Sequence, residues 1–461
     1  MYASIATRVA AAAGSRRWPR AAALVLLAVT ALPAAAAAAQ VANGNAARAG
    51  ANAPAQVRLS IVVMRHGVRA PTKDPHALAR YAAQPWPQWP VAPGMLTAHG
   101  AAGMQALGAR YRQRWLGEGV LARGCDAAQV VLIADSTPRN HASAAAFGEG
   151  LQPGCHAHYL ALPSTQNNPL FHYAVGEDKN DDKDDDAVAA PLHPDAATRA
   201  RLRALQRVLS GCQGAAACAA PAPGQDTPRL DDPQRLNDPA QAAKLLKTAG
   251  SLAENLMLEY AQGLPLAQVA WGRADANALQ RLIGLHNAAF DHSKRALPAA
   301  RAGGSNLLAH LLATLQAAAG QTPAVAPLAP AQTRALLLLG HDTNLAHLAG
   351  LLDVPGAVPG QPDAYPPGGA LLLELVRQGG RDYLQLRSVV PTLQALRDNR
   401  FDGAGLRERR WPLPGCGGRL RCPLAVALPA LQARLDAQQV QADVPALSAW
   451  PVQAAVADGL L

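Results

Sequence analysis

The chain has 461 residues, 50% of them hydrophobic, with 42 lysines and arginines against 32 aspartates and glutamates and a formal net charge of +10. A chain of this size can bury one large core plus a smaller cap. The positive balance forms no basic stripe interleaved with aromatics, so nucleic acid is not an expected partner.

Residues 1–39 have the pattern of a signal peptide: Arg8, Arg16, Arg17 and Arg20 lead into the apolar run from Ala21 to Leu32, followed by Pro33 and an alanine tract suited to cleavage. Ser15-Arg16-Arg17 hints at twin-arginine export, but Trp18-Pro19-Arg20 fits that pattern poorly, and ordinary secretion is the expectation. The run is too short for a stable membrane span, so a periplasmic or secreted protein with no membrane attachment after cleavage is expected. Removing the four leader arginines leaves 38 basic and 32 acidic residues, a net of +6, which favours a polyanionic substrate.

After a small-residue linker over residues 40–56, Leu59, Ile61, Val62 and Val63 predict a buried strand that runs into Met64-Arg65-His66-Gly67-Val68-Arg69-Ala70-Pro71. A Trp-Pro loop leads to a helix starting near Thr97, on which Met104, Leu107, Tyr111 and Trp115 recur at helical spacing. A second strand, Val130 to Ile133, runs into Asp135-Ser136-Thr137-Pro138-Arg139 and a helix ending near Gly150. From residue 167 to 302 the pattern turns helical, with Leu202, Leu205 and Leu209 and then Leu279, Leu282, Ile283 and His286 at helical spacing between Pro-rich loops. Core structure is expected to return over residues 303–424 with a helix from Ser305 to Leu315 and a third strand, Leu336 to Leu339, running into Gly340-His341-Asp342-Thr343-Asn344. A hairpin follows, Ala370 to Val376 and Asp382 to Val389 around Gly379-Gly380. The organisation is then an α/β core, residues 57–166 and 303–424, built on a mostly parallel sheet flanked by helices, with a smaller helical cap inserted at 167–302 where substrate preference would reside. The tail, residues 425–461, has no clear place in it.

In open α/β sheets, ligands bind outside the carboxyl ends of the strands, where Arg65, His66, Arg69, Arg139, His341 and Asp342 would meet. Guanidinium groups match phosphate oxygens and stay charged at any physiological pH. Phosphoryl transfer needs little beyond positioning, charge neutralisation, a nucleophile and an acid for the leaving group. A histidine crowded by such cations is pushed toward its neutral form, as an attacking imidazole must be. A lone Arg-His pair or His-Asp pair is usually a solvated strand end; it is the recurrence of three charged strand ends that points to a site.

Arg65-His66-Gly67-Val68-Arg69-Ala70-Pro71-Thr72-Lys73 resembles the signature of the histidine acid phosphatase family, branch 2 of the histidine phosphatases, and Gly340-His341-Asp342-Thr343-Asn344-Leu345-Ala346 resembles its second catalytic segment. Trp86-Pro87-Gln88-Trp89-Pro90-Val91, Leu285-His286-Asn287-Ala288, and Pro359 to Asp363 with Pro366-Pro367-Gly368-Gly369 are similar to the bacterial periplasmic phytases and acid phosphatases of that family, over about Arg58 to Leu424. The resemblance implies a phosphoglycerate mutase-like core, His66 as the nucleophile that becomes phosphohistidine, Arg65, Arg69, Arg139 and His341 as ligands of the phosphate oxygens, and Asp342 as proton donor. It also implies substrate contacts from Thr72, Lys73 and Glu254, and disulfides pairing Cys125 with Cys155, Cys212 with Cys218, and Cys416 with Cys422. Spacing alone leaves fifteen pairings of six cysteines open.

The expected activity is hydrolysis of a small-molecule phosphate monoester, phytate in the first place, by a monomer with no cofactor. Glucose-1-phosphatase or broad acid phosphatase activity are the alternatives within the family. A cytosolic mutase is opposed by the leader and by Arg69-Ala70-Pro71; a non-catalytic periplasmic binder would have no use for His66 beside an acid such as Asp342. No metal is expected. The acidic run Glu177 to Asp186 begins like a calcium loop but has Lys183 where the glycine is required and Ala189 where the bidentate glutamate is required. His341 and His347 are six apart, not four. His99 and His286 are read as structural or pocket-lining.

Overall fold

The computed structural model describes residues 54–125, 129–172, 191–212 and 229–451. The signal peptide, most of the 40–56 linker, the acidic run Glu177 to Asp186, Cys218 and residues 452–461 lie outside them.

Nine strands form one sheet: β1 (Gln56–Arg65), β2 (Val130–Ala134), β3 (His158–Ala161), β4 (Ala335–Gly340), β5 (Ala370–Gln378), β6 (Arg381–Pro391), β7 (Leu406–Trp411), β8 (Cys422–Pro423) and β9 (Ser448–Pro451), in the order β7-β6-β5-β1-β4-β2-β3-β9 with β8 on β6. The expected parallel pairing holds at the centre, where β4 lies between β1 and β2 and β2 continues to β3. The flanks pair antiparallel, β5 on β1 and β9 on β3, so the sheet is mixed. The flanking β5–β6 hairpin turns at Gly379 and Gly380, both in the left-handed region with φ of 56° and 75°.

Both faces of the central strands are covered, which is why their sequences are continuous apolar runs. Val62 and Met64 of β1 with Leu337 and Leu339 of β4 join one core, together with helices Ala98–Gly117 and Pro138–Leu151. Ile61 and Val63 with Leu336 and Leu338 face the other, with helices Leu297–Ala318 and Asp342–Leu352. The first of these two long helices starts at Leu297, before the expected Ser305, with proline in its first turn. Gly303 and Gly304 lie inside it because His347 packs there: a Cβ on Gly303 would sit 2.1 Å from its ring.

The longest helices described in the helical segment are Ala196–Ser210, Pro239–Ala261, Ala276–Leu282 and Gly284–Phe290, whose apolar faces continue the first core. The tail also has a place. Ala427, Leu428 and Leu431 of helix Leu424–Gln432 are buried in the second core, Arg434 Nη2 donates to the Gly350 carbonyl at 2.9 Å, and β9 adds to β3 at the sheet edge. Cys125–Cys155 and Cys416–Cys422 are bridged. Cys212 is disulfide-bonded, while its expected partner, Cys218, is not among the described residues. No described helix is long and apolar enough to cross a membrane.

One buried carboxyl sits outside these layers' ordinary chemistry. Glu259 Oε2 accepts from the Ala270 amide at 2.8 Å, where Ala270 and Trp271 hold the left-handed region with φ of 49° and 55°. Burial pushes the Glu259 carboxyl from 4.5 up to about 8, against the pull of that amide. Because the shift is upward, the native state is fully stable below the unfolded value near 4.5 and loses stability as pH rises toward 8. Glu259→Gln keeps the acceptor and removes the charge. It should raise stability at pH 7 by up to about 3 kcal/mol and leave it unchanged at pH 4, read by urea unfolding at the two values. An equal effect at both would show that the carboxyl does not titrate in this range.

Candidate active site

The register of the central strands brings the three charged segments together. Arg65 is paired with Gly340, and the backbone bonds continue past the strand ends: His66 N donates to the Gly340 carbonyl at 3.0 Å, and Asp135 N to the Leu339 carbonyl at 2.9 Å. Helices Pro138–Leu151 and Asp342–Leu352 begin at the second and third segments, so both N-termini add positive potential there. The first segment lies hard against helix Ala98–Gly117. A Cβ on Gly100 would stand 2.0 Å from the Val68 carbonyl oxygen, so only glycine allows this approach.

Arg65 is wholly buried. Its Nη1 donates to the Tyr365 carbonyl at 2.6 Å, and its Nη2 lies 2.8 Å from Asp342 Oδ2 and also pairs with Glu254. Arg69 Nη2 lies 3.1 Å from the other Glu254 oxygen. Burial works against the charge of Arg65, but Asp342 and Glu254 outweigh it and its pKa is raised. Burial would likewise raise both carboxyls; Arg69 and Arg65 hold Glu254 well below its usual range, and Arg65 holds Asp342 below its own.

His66 is buried, and its Nδ1 lies 2.9 Å from the Gly67 carbonyl oxygen. A carbonyl only accepts, so Nδ1 carries the proton and Nε2 keeps the lone pair. Burial, then the charges of Arg139, Arg65 and Arg69, lower its pKa well below 6.5, so the ring stays neutral far into acid. The His341 ring meets it edge-on, 5.6 Å between centroids. Arg139 Nη2 approaches His341 Nδ1 to 3.1 Å, so that nitrogen accepts, and His341 Nε2 donates to Asp135 Oδ2 at 2.7 Å. Asn140 Nδ2, 3.0 Å from the same Nε2, donates to Thr137 Oγ1 at 2.8 Å. Burial and then Arg139 lower the His341 pKa to about 4, with Asp135 resisting.

Six of the expected residues, Arg65, His66, Arg69, Arg139, His341 and Asp342, thus gather at one rim of the sheet, and Glu254 joins them from helix Pro239–Ala261. Thr72 stands near Arg139, since both lie 3.8 Å from where a Gly94 Cβ would be. Lys73 is exposed and lines a cavity of about 270 Å³ with His76, Trp86 and Trp89. His286 lines the site, 3.9 Å from Asp342 Oδ2, and His99 is structural, its Nε2 donating to the Leu396 carbonyl at 2.9 Å.

Two groups have no role in the sequence reading. Asp135 was visible as a charged residue at a buried strand end, while His172, 3.1 Å from Asp135 Oδ1, has no signal of its own. Two triads, Asp135–His172–His341 and Glu254–His286–Asp342, have ligand atoms close enough for a metal ion. In both, arginine already faces the donors: Arg65 pairs with Glu254 and Asp342, and Arg139 contacts His341.

The model of the histidine phosphatase superfamily (branch 2) matches residues 56–389, a span that holds all three charged segments. Phytase AppA of Escherichia coli is 34% identical over 356 residues, covering 73% of this chain and 81% of that protein. A glucose-1-phosphatase of Salmonella typhimurium is 26% identical over 363 residues, covering 74% and 83%. The structure of Hafnia alvei phytase in complex with myo-inositol hexakis sulphate superposes with a TM-score of 0.68 at 27% identity, covering 84% of this chain and 99% of that one. A match that takes in the arginines, both histidines and the aspartate at the ends of β1, β2 and β4 leaves one conclusion: this chain belongs to branch 2 of the histidine phosphatase superfamily.

Proposed function

We propose that this protein hydrolyses phosphate monoesters through a phosphohistidine at His66, with phytate, myo-inositol hexakisphosphate, as its substrate. The observation that carries the reading is the bond from His66 Nδ1 to the Gly67 carbonyl, which leaves Nε2 unprotonated among Arg65, Arg69 and Arg139. Nε2 attacks phosphorus as the bond to the leaving oxygen breaks, and the arginines with His341 hold the three remaining phosphate oxygens. Arg65 Nε and Arg69 Nε are buried donors with no acceptor among the described residues, and a phosphate oxygen would satisfy them.

Asp342 supplies the proton to the leaving alcohol and takes one back from the water that cleaves the phosphohistidine. In the free protein Arg65 keeps Asp342 ionised. A phosphate dianion on Arg65 neutralises that cation and sets negative charge beside Asp342, so burial then prevails and the carboxyl is protonated in acid. Phytate is supported by the relatives named as phytases, by exposed Thr72 and Lys73 next to the first segment, and by the net positive mature chain. The leader pattern and the described disulfides support a periplasmic or secreted enzyme, and a clamp drawn wholly from one chain needs no second subunit to be complete.

Hydrolysis of a chromogenic phosphate ester by the purified protein tests this. An acid optimum is expected, with activity in EDTA within about twofold of that without it, because guanidinium groups do the work a metal would do. Loss of activity in chelator that added metal restores would contradict it. The rate on phytate set beside that on glucose 1-phosphate decides between the two substrates.

A further inference from the structure

We propose that His172 is a positioning residue that acts through Asp135 to set the protonation of His341, and with it the pH range over which the clamp holds phosphate dianions. This rests on the phosphate-ester reading of the site.

Asp135 is wholly buried between two imidazoles. Its Oδ2 accepts from His341 Nε2 at 2.7 Å, its Oδ1 lies 3.1 Å from His172 Nε2, and the two rings are 5.4 Å apart. His172 ends the short helix Pro169–His172, which is tied to the third segment. Asn344 Nδ2 donates to the Phe171 carbonyl at 2.8 Å, and Asn344 Oδ1 accepts from His341 N at 2.8 Å. Asn306 Nδ2 holds the other end through the Pro169 carbonyl at 3.0 Å. The ring of His172 is therefore fixed on Asp135 by the same residue that caps the helix behind His341.

In the free protein His341 has one proton, on Nε2, and its Nδ1 faces Arg139. A phosphate oxygen arriving at Nδ1 is an acceptor, so His341 can hold it only by taking a second proton there. The cost of that proton depends on how much of the Asp135 charge is left to His341. A protonated His172 shares that charge and also repels the imidazolium directly. The side chain of His172 is 23% exposed against 8% for His341, so His172 is the imidazole of the pair that meets solvent protons. The charged and titratable groups around it among the described residues are Asp135 just past β2, His341 just past β4, whose Nδ1 faces Arg139 of helix Pro138–Leu151, and His347 on helix Asp342–Leu352. Burial drives His347 to about 3, so it stays neutral over the pH range of the test.

The test is the pH dependence of competitive inhibition by inorganic phosphate, from pH 4 to 8, in the full protein and two variants. His172→Asn cannot take a charge and leaves Asp135 to His341, so the pH at which phosphate affinity falls should move up by about 0.5–1 unit, giving three- to tenfold tighter binding on the slope. His172→Lys is a fixed cation and should move it down. Opposite shifts are expected; profiles that superimpose on the wild type, or that move the same way, overturn the proposal. If His172→Asn does not fold, the downward shift of the lysine variant alone decides. A wild-type protein that binds no phosphate at any pH instead overturns the hydrolase reading, a separate failure.

Discussion

His66→Ala is expected to lower kcat/KM for every phosphate ester by at least about 10⁴-fold while the fold is kept. Among the described residues the imidazole makes one hydrogen bond, to the adjacent Gly67 carbonyl, so its loss leaves no distant partner stranded there. The arginines and His341 would remain, and the variant should still bind phosphate. That pattern separates the enzyme from a binding protein built on the same clamp. Full activity in the variant, with unchanged binding, would remove His66 from the chemistry.

Asp342→Asn is expected to act selectively. With an alkyl leaving group such as an inositol hydroxyl, loss of the proton donor should cost about 10²–10³-fold in kcat; with an activated phenol, which departs without help, less than about tenfold. Asparagine keeps the size of the side chain, and Arg65 retains Glu254 as a partner, so the clamp is not dismantled. The pH dependence should change as well. In the wild type, activity is lost as pH rises through the substrate-bound value of Asp342 and the donor ionises; the variant should lack that limb. Equal losses on both classes of ester would show that Asp342 serves binding and not proton transfer.

Much of this site is visible in the sequence because each part is local. A buried strand needs only a short apolar run, and the charged residues that end β1, β2 and β4 adjoin those runs. Convergence then follows from parallel pairing, with Met64 beside Leu339 and Leu339 beside Ala134. Glu254 is different. It is an ordinary carboxylate on a helix by pattern, and only the family likeness pointed to it, yet it is buried on Arg65 and Arg69. His172 and the tail were not legible at all. The contact of His172 with Asp135 joins residues in different elements, and no spacing encodes it. The pairing of β9 with β3 spans most of the chain, between Ser448 and Ala161, and a four-residue strand has no periodicity of its own. Helix Leu297–Ala318 shows the same limit in another form: Gly303 and Gly304 look like a break until the His347 ring that occupies their place is seen.

Hydrolysis by this route requires a covalent phosphate on His66. A labelled ester should be mixed with the protein at acid pH, quenched in alkali during turnover, and the peptides mapped. The label is expected on the peptide carrying His66, stable in base and lost in acid, as a phosphorus–nitrogen bond requires, and absent from His66→Ala. Turnover that leaves no label on the chain, or a label on His341 instead, would contradict it.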